Sequence, residues 1–284
     1  MCRNYPPAYR GGGPGVSVSR IVDVEAANGY EVRVVTMDRD YGDTEPFEAA
    51  RPRVWQSRDG YEICHLRPGM RDWGWLLRSV NDWRPQLIYV NSLQDPSFSL
   101  LPQLCTRMRI IHQPLMLLAP RGECSPGAQR VKWCKKRLAQ PFLRWLSSRP
   151  TIWHVSSHAE ELDVATWRGH AIANRVIVQT NPGPMSPEAP TSGSGQPVKR
   201  LVMASRIGRM KGTDLVLRAL ANVTSPCEFV VRGVVADRDY WRDCLELADQ
   251  LPSWVKFRTS FKTYPTSSVF LVRVANRIRC VNRK

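Results

Sequence analysis

The sequence predicts an α/β protein with two parallel-sheet domains, the second of which is incomplete. Short β-branched or apolar runs alternate with amphipathic segments along most of the 284 residues, and this alternation is typical of βαβ units. A Pro-, Gly- and Ser-rich stretch at 181–198 interrupts the alternation, which then restarts. We therefore expect domains at 1–180 and 199–258, a linker at 181–198 and an atypical basic tail at 259–284.

The elements of the first domain follow from its apolar runs and its helix signals. Ser157 and Glu160 have the spacing of a capping box, so a helix is expected directly after strand 151–155. Other helices are predicted at 16–28, which ends at Gly29, and at 96–107 and 128–146. The predicted strands are 31–36, 87–91, 115–119, 151–155 and 175–179.

The second domain shows the same order of elements. Strands at 199–204, 228–232 and 254–257 alternate with helices at 213–222 and 237–250. This is the first half of a second α/β domain.

The net charge of +16 implies an anionic partner, which could be nucleic acid, an acidic lipid surface or a phosphorylated ligand. Between residues 107 and 149, ten Lys or Arg stand against one acid, Glu123. The longest apolar runs are far shorter than the roughly 20 residues of a membrane helix, and the eight cysteines form no CxxC pair. We therefore expect a soluble or peripheral cytoplasmic protein with reduced thiols.

Three consecutive glycines, Gly11, Gly12 and Gly13, precede every predicted strand. A dinucleotide fingerprint, G-x-G-x-x-G after a strand, is excluded because Val16 stands where the third glycine belongs. No G-x-x-x-x-G-K-S/T motif is present either. Two interpretations remain: a turn whose amides at the start of helix 16–28 receive a phosphate or another polar group, or a tight turn with no ligand.

A second candidate site lies between strand 199–204 and helix 213–222. Arg206 follows the strand by two residues, and Lys211 lies just before the helix. Two cations and a helix N-terminus can therefore converge on one anion, and a diphosphate is the natural candidate. The alternative interpretation is a solvated basic loop.

Taken together, these motifs resemble glycosyltransferase family 4, retaining enzymes with two facing Rossmann-like domains in the GT-B architecture. Pro6-Pro7 and the three glycines resemble the family's P…GG loop at the cleft. Ser205-Arg206-Ile207 and Lys211-Gly212 resemble its GR(L/I)…KG segment. The resemblance covers residues 5–258 and implies a GT-B-like fold with an incomplete second domain.

A third match indicates the substrate class. Residues 119–128 read Ala-Pro-Arg-Gly-Glu-Cys-Ser-Pro-Gly-Ala and precede a Lys-rich helix. They are similar to the PRGE(F)SPGAL…KK segment of members that build capsular and other cell-surface polysaccharides. The resemblance implies transfer of a sugar, with retention, from a nucleoside-diphosphate sugar to a saccharide or lipid-linked saccharide acceptor.

The resemblance also implies roles for individual residues. Arg206 and Lys211 would bind the donor diphosphate and neutralise it as it leaves, without a metal or other cofactor. Gly11, Gly12 and Gly13 would form the acceptor-side wall of the cleft, and Gly122 and Glu123 an acceptor-side loop. Arg121 stands where many members carry a histidine facing the sugar, so it is the catalytic candidate.

Neither metal binding nor histidine catalysis is expected. Asp38-Arg-Asp40 and Asp237-Arg-Asp239 have the D-x-D spacing, but both stand at turn or helix-start positions. Of the five histidines, His154 lies inside a predicted strand and His158 in the first turn of a predicted helix. No catalytic role is expected for any of them.

The basic helix within 129–149 is expected to have an apolar side and a basic side. Its apolar residues would pack on the protein, while the opposite, basic side would contact anionic lipid. The apolar set is Val131, Leu138, Phe142, Leu143 and Leu146, and the basic set is Lys132, Lys135, Lys136 and Arg137.

The resemblance ends before the family's Glu-x7-Glu motif, because no acid follows Arg258. Met1–Asn4 also stands where an apolar first strand is expected, so we expect the central strand of the first sheet to be missing. A truncated or out-of-frame chain that turns over poorly or not at all is therefore predicted. The alternatives are a non-catalytic remnant and a basic nucleic-acid-binding protein; the latter is favoured only by charge, and no nucleic-acid partner is expected because no recognisable motif is present.

Overall fold

The computed structural model divides into two compact units, Met1–Ser186 and Pro187–Lys284. It describes residues 1–112, 114–130, 133–147, 151–169, 175–182 and 199–260. Most of the predicted linker, 183–198, and most of the predicted tail, 261–284, lie outside the described residues. Each unit is α/β with parallel strands, as the sequence predicts and as a Rossmann-like GT-B domain requires.

The first unit contains every strand and helix that the sequence predicts for it. The helices begin two or three residues earlier than expected in two cases, which is the usual uncertainty of helix ends. A short π-helical turn, Pro96–Leu100, precedes the third helix. The elements are α1 (Gly13–Ala27), β1 (Val32–Met37), β2 (Gln56–Arg58), β3 (Tyr61–Leu66), α2 (Trp73–Trp83), β4 (Leu87–Asn91), α3 (Leu101–Arg107), β5 (Leu115–Ala119), α4 (Pro126–Arg130), α5 (Trp133–Leu146), β6 (Thr151–Val155), α6 (His158–Arg168) and β7 (Val176–Val178).

Two sheets form the frame of this unit. Strands β4, β5, β6 and β7 are parallel and neighbours in that order. In the second sheet β3 pairs parallel with β1 and antiparallel with β2. One buried cluster contains Val35 and Leu66 from the second sheet and Val90, Leu118 and Trp153 from the first, so both sheets share a core.

The amino-terminal segment Met1–Arg3 lies between these sheets. It bonds to β1 on one side and to β4 on the other, which is the position of a central strand. The expectation that this position is empty is therefore wrong: the segment fills it and satisfies backbone groups that would otherwise be unpaired. The bonds run from Cys2 N to Val35 O (3.1 Å), Met37 N to Arg3 O (3.2 Å), Met1 N to Tyr89 O (2.6 Å) and Asn91 N to Met1 O (3.2 Å).

The second unit has a parallel sheet in the order β10, β9, β8. Its strands are β8 (Lys199–Ala204), β9 (Cys227–Arg232) and β10 (Val255–Ser260), and its helices are α7 (Thr213–Leu220) and α8 (Arg238–Asp249). Phe229 and Val231 of the central strand pack against Leu217 and Trp241 of the two helices. All five predicted elements of this unit are confirmed, and β10 continues to Ser260.

No helix in the part of the chain that the structure describes has the length and apolar character needed to cross a bilayer.

Two glycines in the first turn of α1 provide a test of how the amino-terminal segment packs. A Cβ added at Gly15 would lie 2.7 Å from the backbone oxygen of Asn4, whereas a Cβ at Gly13 would have nothing within 4 Å. Gly15→Ala is therefore expected to lower the free energy of unfolding by about 1–3 kcal/mol. Gly13→Ala should change it by less than about 1 kcal/mol, or raise it slightly. Urea unfolding followed by circular dichroism measures both, and equal stability of the two variants would contradict the packing described.

Candidate functional site

Polar side chains gather at the carboxyl edge of the β4–β7 sheet. Asn91 ends β4, Arg121 lies in the turn after β5, Ser156 follows β6 and Asn181 lies beyond β7. The carboxyl ends of parallel strands meet at one edge, and α/β proteins bind ligands there. Because three of the four lie just outside their strands, this edge holds the candidate site of the first unit.

The Arg121 guanidinium connects three of these strand ends. Its Nε and Nη2 donate to Asn91 Oδ1 at 3.1 and 2.7 Å, and Nη2 also donates to Tyr89 Oη at 2.9 Å. Its Nη1 donates to Asn181 Oδ1. Arg121 is thus engaged mainly within its own unit, and its predicted role toward a sugar stays a prediction.

The contacts with Arg121 use the side-chain oxygen of Asn91 but not its side-chain nitrogen. An arginine only donates, so the Asn91 oxygen must face the guanidinium and the Nδ2 amide must point elsewhere. Asn91 Nδ2 is buried and has no hydrogen-bond partner among the described residues. A buried donor without a partner costs about 1–3 kcal/mol, so a ligand hydroxyl or a water at this edge would be stabilised.

The turn that carries Arg121 has an unusual backbone. Arg121 and Gly122 both have positive φ, 53° and 78°, and the turn is closed by a bond from Glu123 N to Pro120 O at 3.1 Å. This conformation suits Gly122, but it is costly for Arg121 unless the surroundings fix the turn. The fixing group is Glu160, whose Oε1 accepts from Gly122 N at 2.6 Å.

Glu160 is buried and its second oxygen is also used. Oε2 accepts from the backbone N and the hydroxyl of Ser156, at 2.8 Å each. The predicted cap is confirmed, because α6 begins at His158 and Ser157 Oγ accepts from Glu160 N at 3.2 Å. The carboxylate of the capping box, however, holds the turn after β5 in place, which the sequence pattern did not predict.

Tyr89 and His154 continue the network inward. Tyr89 Oη lies 2.5 Å from His154 Nδ1, and His154 Nε2 lies 2.9 Å from the carbonyl oxygen of Gln179. A carbonyl can only accept, so Nε2 carries the proton of the neutral ring and Nδ1 accepts from Tyr89. The hydrogen bonds thus run in one direction from Arg121 through Tyr89 and His154 to Gln179.

Burial keeps both of these groups uncharged. It lowers the pKa of His154, and the nearby Arg121 charge lowers it further, against the opposing effects of the Gln179 bond and Glu160. Burial also raises the pKa of Tyr89 to about 12. Tyr89 and Asn91 were not predicted as site residues, although two polar residues at alternate positions near the end of an apolar strand are a usable signal.

Glu123, predicted to belong to an acceptor-side loop, lies inward. Its Oε1 accepts from the Ser92 hydroxyl at 2.7 Å, and Oε2 accepts from the backbone N of Leu93 and Gln94, at 2.9 Å each. Burial raises the pKa of Glu123, and these three bonds oppose that rise. The carboxylate therefore holds the loop after β4, while the acceptor contact stays a prediction.

The glycine loop leads directly into α1. Gly12 has φ 79° at the residue before the helix, a conformation that favours glycine. A Cβ at Gly11 would lie 2.1 Å from Asn4 Nδ2, whereas Gly13 has open space. Packing at Gly11 and backbone conformation at Gly12 therefore explain why glycine is found at these two positions. The predicted ligand role of the loop stays a prediction.

Both aspartates of the Asp38-Arg-Asp40 sequence bind groups within the protein. Asp40 Oδ2 accepts from the backbone N of Tyr9 at 2.9 Å and of Arg10 at 3.1 Å, so it holds the glycine loop. Asp38 pairs with Arg39 at 2.8 Å. Within the described ranges, no group of three or more His, Cys, Asp or Glu side chains could hold a metal ion.

In the second unit, Arg206 and Lys211 lie in the loop after β8. Both are exposed, and neither side chain has a hydrogen-bond or ion-pair partner within the described part of the chain. Lys211 ends a short 3-10 turn and is followed by Gly212, with φ 67°, at the N-cap of α7. The loop thus presents two cations beside a helix N-terminus.

Arg209, the third basic residue of that loop, has partners within the second unit. Arg209 lies 3.7 Å from Asp237 and 3.5 Å from Asp243, and its guanidinium carbon lies 5.5 Å from the Tyr240 ring centroid. The loop backbone is confined as well, because a Cβ at Gly233 would lie 1.8 Å from the oxygen of Ser205. Arg209 anchors the loop, and Arg206 and Lys211 remain for a ligand.

Residues 12–182 match the family model described as a Glycosyl transferase 4-like domain. The match covers more than half of the chain. The chain belongs to this family. No curated protein matches the sequence.

Membership of the glycosyl transferase 4-like family establishes glycosyl transfer, with a sugar donor and an acceptor, as the general activity. The matched segment contains Gly12 and Gly13 of the glycine loop, the Arg121 turn and strands β4 to β7. Arg206 and Lys211 lie outside it.

Glu160 and its neighbour Glu161 give a matched pair of variants. Glu160→Gln places an amide where the carboxylate accepts from Gly122 and Ser156, so it should lower the free energy of unfolding of the first unit by about 1–3 kcal/mol. Within the described residues, the ion-pair partner of Glu161 is the exposed His158 ring. Glu161→Gln should therefore lower the free energy of unfolding by less than about 0.5 kcal/mol. Urea unfolding measures both, and an equally small effect at Glu160 would contradict the assigned role of its carboxylate.

The buried His154 predicts a pH dependence. Its pKa is lowered on folding, so its contribution to stability is complete above the unfolded pKa of about 6.5 and is lost as the pH falls below it. The first unit should therefore be less stable at pH 5.5 than at pH 7.5. His154→Gln should reduce this dependence, leaving the part due to His65, whose pKa burial also lowers.

His158→Gln is the control, because that ring is exposed. Denaturation curves across this pH range measure the slope for each variant. A slope that stays unchanged in His154→Gln would show that His154 is not buried as a neutral ring.

Proposed function

We propose that the protein transfers a sugar, with retention of configuration, from a nucleoside-diphosphate sugar to a saccharide or lipid-linked saccharide in cell-surface polysaccharide biosynthesis. The observation that carries the donor assignment is the pair of exposed cations, Arg206 and Lys211, beside the N-terminus of α7. Family membership supports sugar transfer, and the similarity of residues 119–128 to polysaccharide-building members supports the acceptor class.

The chemistry of the leaving group fits these cations. As the glycosidic bond to the donor breaks, negative charge develops on the diphosphate, and fixed positive groups stabilise it at that moment. Arg206 offers a planar fork for phosphate oxygens, Lys211 offers a point charge, and the α7 N-terminus adds the positive end of the helix dipole. This set would serve as the electrostatic partner of the diphosphate without a metal ion.

The first unit supplies the second part of the proposal. Arg121 has no proton to exchange near neutral pH, so we assign it to positioning and to electrostatic stabilisation, and not to acid–base catalysis. Its turn holds Asn91, whose unpartnered Nδ2 donor is suited to a sugar hydroxyl. Arg121, Gly122 and the glycine loop Gly11–Gly13 are the proposed acceptor-side residues.

We infer that the reaction takes place in the cytoplasm, at the inner face of the cell membrane where a lipid-linked acceptor is presented. Binding of a nucleoside diphosphate is the first readout of the donor assignment.

Arg206→Ala and Lys211→Ala should each weaken binding of a nucleoside diphosphate by about tenfold, because each removes a charge-assisted contact worth about 1.4 kcal/mol or more. Arg218→Ala, an exposed arginine on α7, is the matched control and should bind as the wild type does. Calorimetric titration with UDP, GDP and ADP measures the affinities. Wild-type affinity in both Arg206→Ala and Lys211→Ala would refute the assignment.

Product analysis with a panel of sugar nucleotides tests transfer itself. Any turnover by the wild-type chain should be lost in Arg206→Ala and kept in Arg218→Ala. Turnover that persists in Arg206→Ala would place the donor diphosphate elsewhere.

A further inference from the structure

Helix α5 is attached to the first unit along one side only. Leu143 and Leu146 are its buried residues. Gln140 Nε2 and Arg144 Nε donate to the carbonyl oxygen of Trp167 at 3.0 and 2.7 Å, which holds the same side of the helix against α6. Leucine packing and these two bonds thus fix which side of α5 faces outward.

The outward side is apolar. Leu138 is 82% exposed, Phe142 47% and Trp145 44%, and the spacing i, i+4, i+7 places them on one face of the helix. The Phe142 and Trp145 rings stack with their centroids 5.8 Å apart. The expectation that Leu138 and Phe142 pack on the protein is therefore wrong, while Val131 and Lys132 lie outside the described residues.

Basic side chains border this apolar stripe. At about 3.6 residues per turn, Lys135 and Arg137 fall on opposite sides of it, and both are exposed. The Arg107 guanidinium carbon lies 4.0 Å from the Trp145 ring centroid. The helix contains no Asp or Glu, and the one acid between residues 107 and 149, Glu123, is turned inward on hydrogen bonds.

We propose that this outer face of α5 (Lys135, Arg137, Leu138, Phe142 and Trp145) binds the surface of an anionic lipid bilayer. An apolar stripe with cationic borders matches both layers of such a surface: Leu and aromatic side chains enter the headgroup boundary, and Lys and Arg meet the anionic headgroups. A second copy of the chain would bring the same positive borders into contact. A nucleic acid would match the charge but leave the apolar stripe without a partner.

The inference concerns the first unit and is independent of donor binding by Arg206 and Lys211. Failure of one proposal therefore leaves the other intact. If both hold, the surface brings the enzyme to the lipid-linked acceptor.

Vesicle co-sedimentation of the full chain tests the proposal. Wild-type protein should bind vesicles of phosphatidylcholine with phosphatidylglycerol far more strongly than vesicles of phosphatidylcholine alone. The double variant Leu138→Ser/Phe142→Ser should lose about tenfold or more in partitioning, because it removes much of the apolar area. Leu162→Ser is the matched control, an exposed leucine on α6 of the same unit, and should bind as the wild type does.

A second double variant tests how much the basic side chains contribute to membrane binding. Lys135→Gln/Arg137→Gln should remove most of the preference for anionic vesicles, and raised salt should do the same to the wild type. An unchanged circular dichroism spectrum and urea unfolding curve for each variant would show that the first unit is still folded.

A probe on the helix provides a direct readout. Cys134 is exposed, whereas the other cysteines of the described residues are buried, so an environment-sensitive fluorophore can be attached to Cys134 in a Cys280→Ser background. Its emission should shift to the blue with anionic vesicles only. Equal binding of neutral and anionic vesicles, or full binding by Leu138→Ser/Phe142→Ser, would overturn the proposal. So would lipid-free self-association that the same double variant abolishes, which would make the face a contact between copies.

Discussion

The carboxyl edge of the first unit depends on the hydrogen bonds that the Arg121 guanidinium makes to the ends of neighbouring strands. A guanidinium keeps its charge at every relevant pH and only donates hydrogen bonds, so the groups around it must offer acceptor oxygens. Asn91, Tyr89 and Asn181 do so. The same charge helps to keep His154 neutral, which lets that ring accept from Tyr89. One cation thus sets the direction of the whole chain of hydrogen bonds.

The basic residues of this protein fall into two groups that the amino-acid composition cannot distinguish. Arg121 and Arg144 are bound inside the first unit, where they hold a turn and a helix. Others carry their charge into solvent: Arg206 and Lys211 beside a helix N-terminus, Lys135 and Arg137 beside an apolar stripe. The net charge of +16 therefore comprises structural charge and charge that is free for anionic partners.

The sequence predicted the strands well wherever they were continuous apolar runs, as at Leu87–Asn91 and Leu115–Ala119. It missed Tyr61–Leu66, because Glu62 and His65 interrupt the apolar pattern, although the strand is buried over its second half. It also failed to recognise Met1–Arg3 as the occupant of a strand position. Three residues carry no periodicity, and only their bonds to both neighbours reveal the role.

The site was predicted only in part, for similar reasons. The loop positions of Arg121, Arg206 and Lys211 followed from motifs, but the partners of Arg121 come from the ends of two other strands, β4 and β7, which only the parallel register brings near the end of β5. Helix α5 carries two apolar arcs, and periodicity cannot tell which one faces the core. The structure assigns the core to Leu143 and Leu146 and leaves Leu138 and Phe142 in solvent.

We propose that the loop after β8 recognises a diphosphate. Comparing the affinity of one nucleoside diphosphate with that of its monophosphate, in the wild-type chain and at several salt concentrations, tests it most directly. We expect the diphosphate to bind more tightly by about tenfold or more, with a difference that shrinks as salt rises. Equal affinities for the two nucleotides would contradict it.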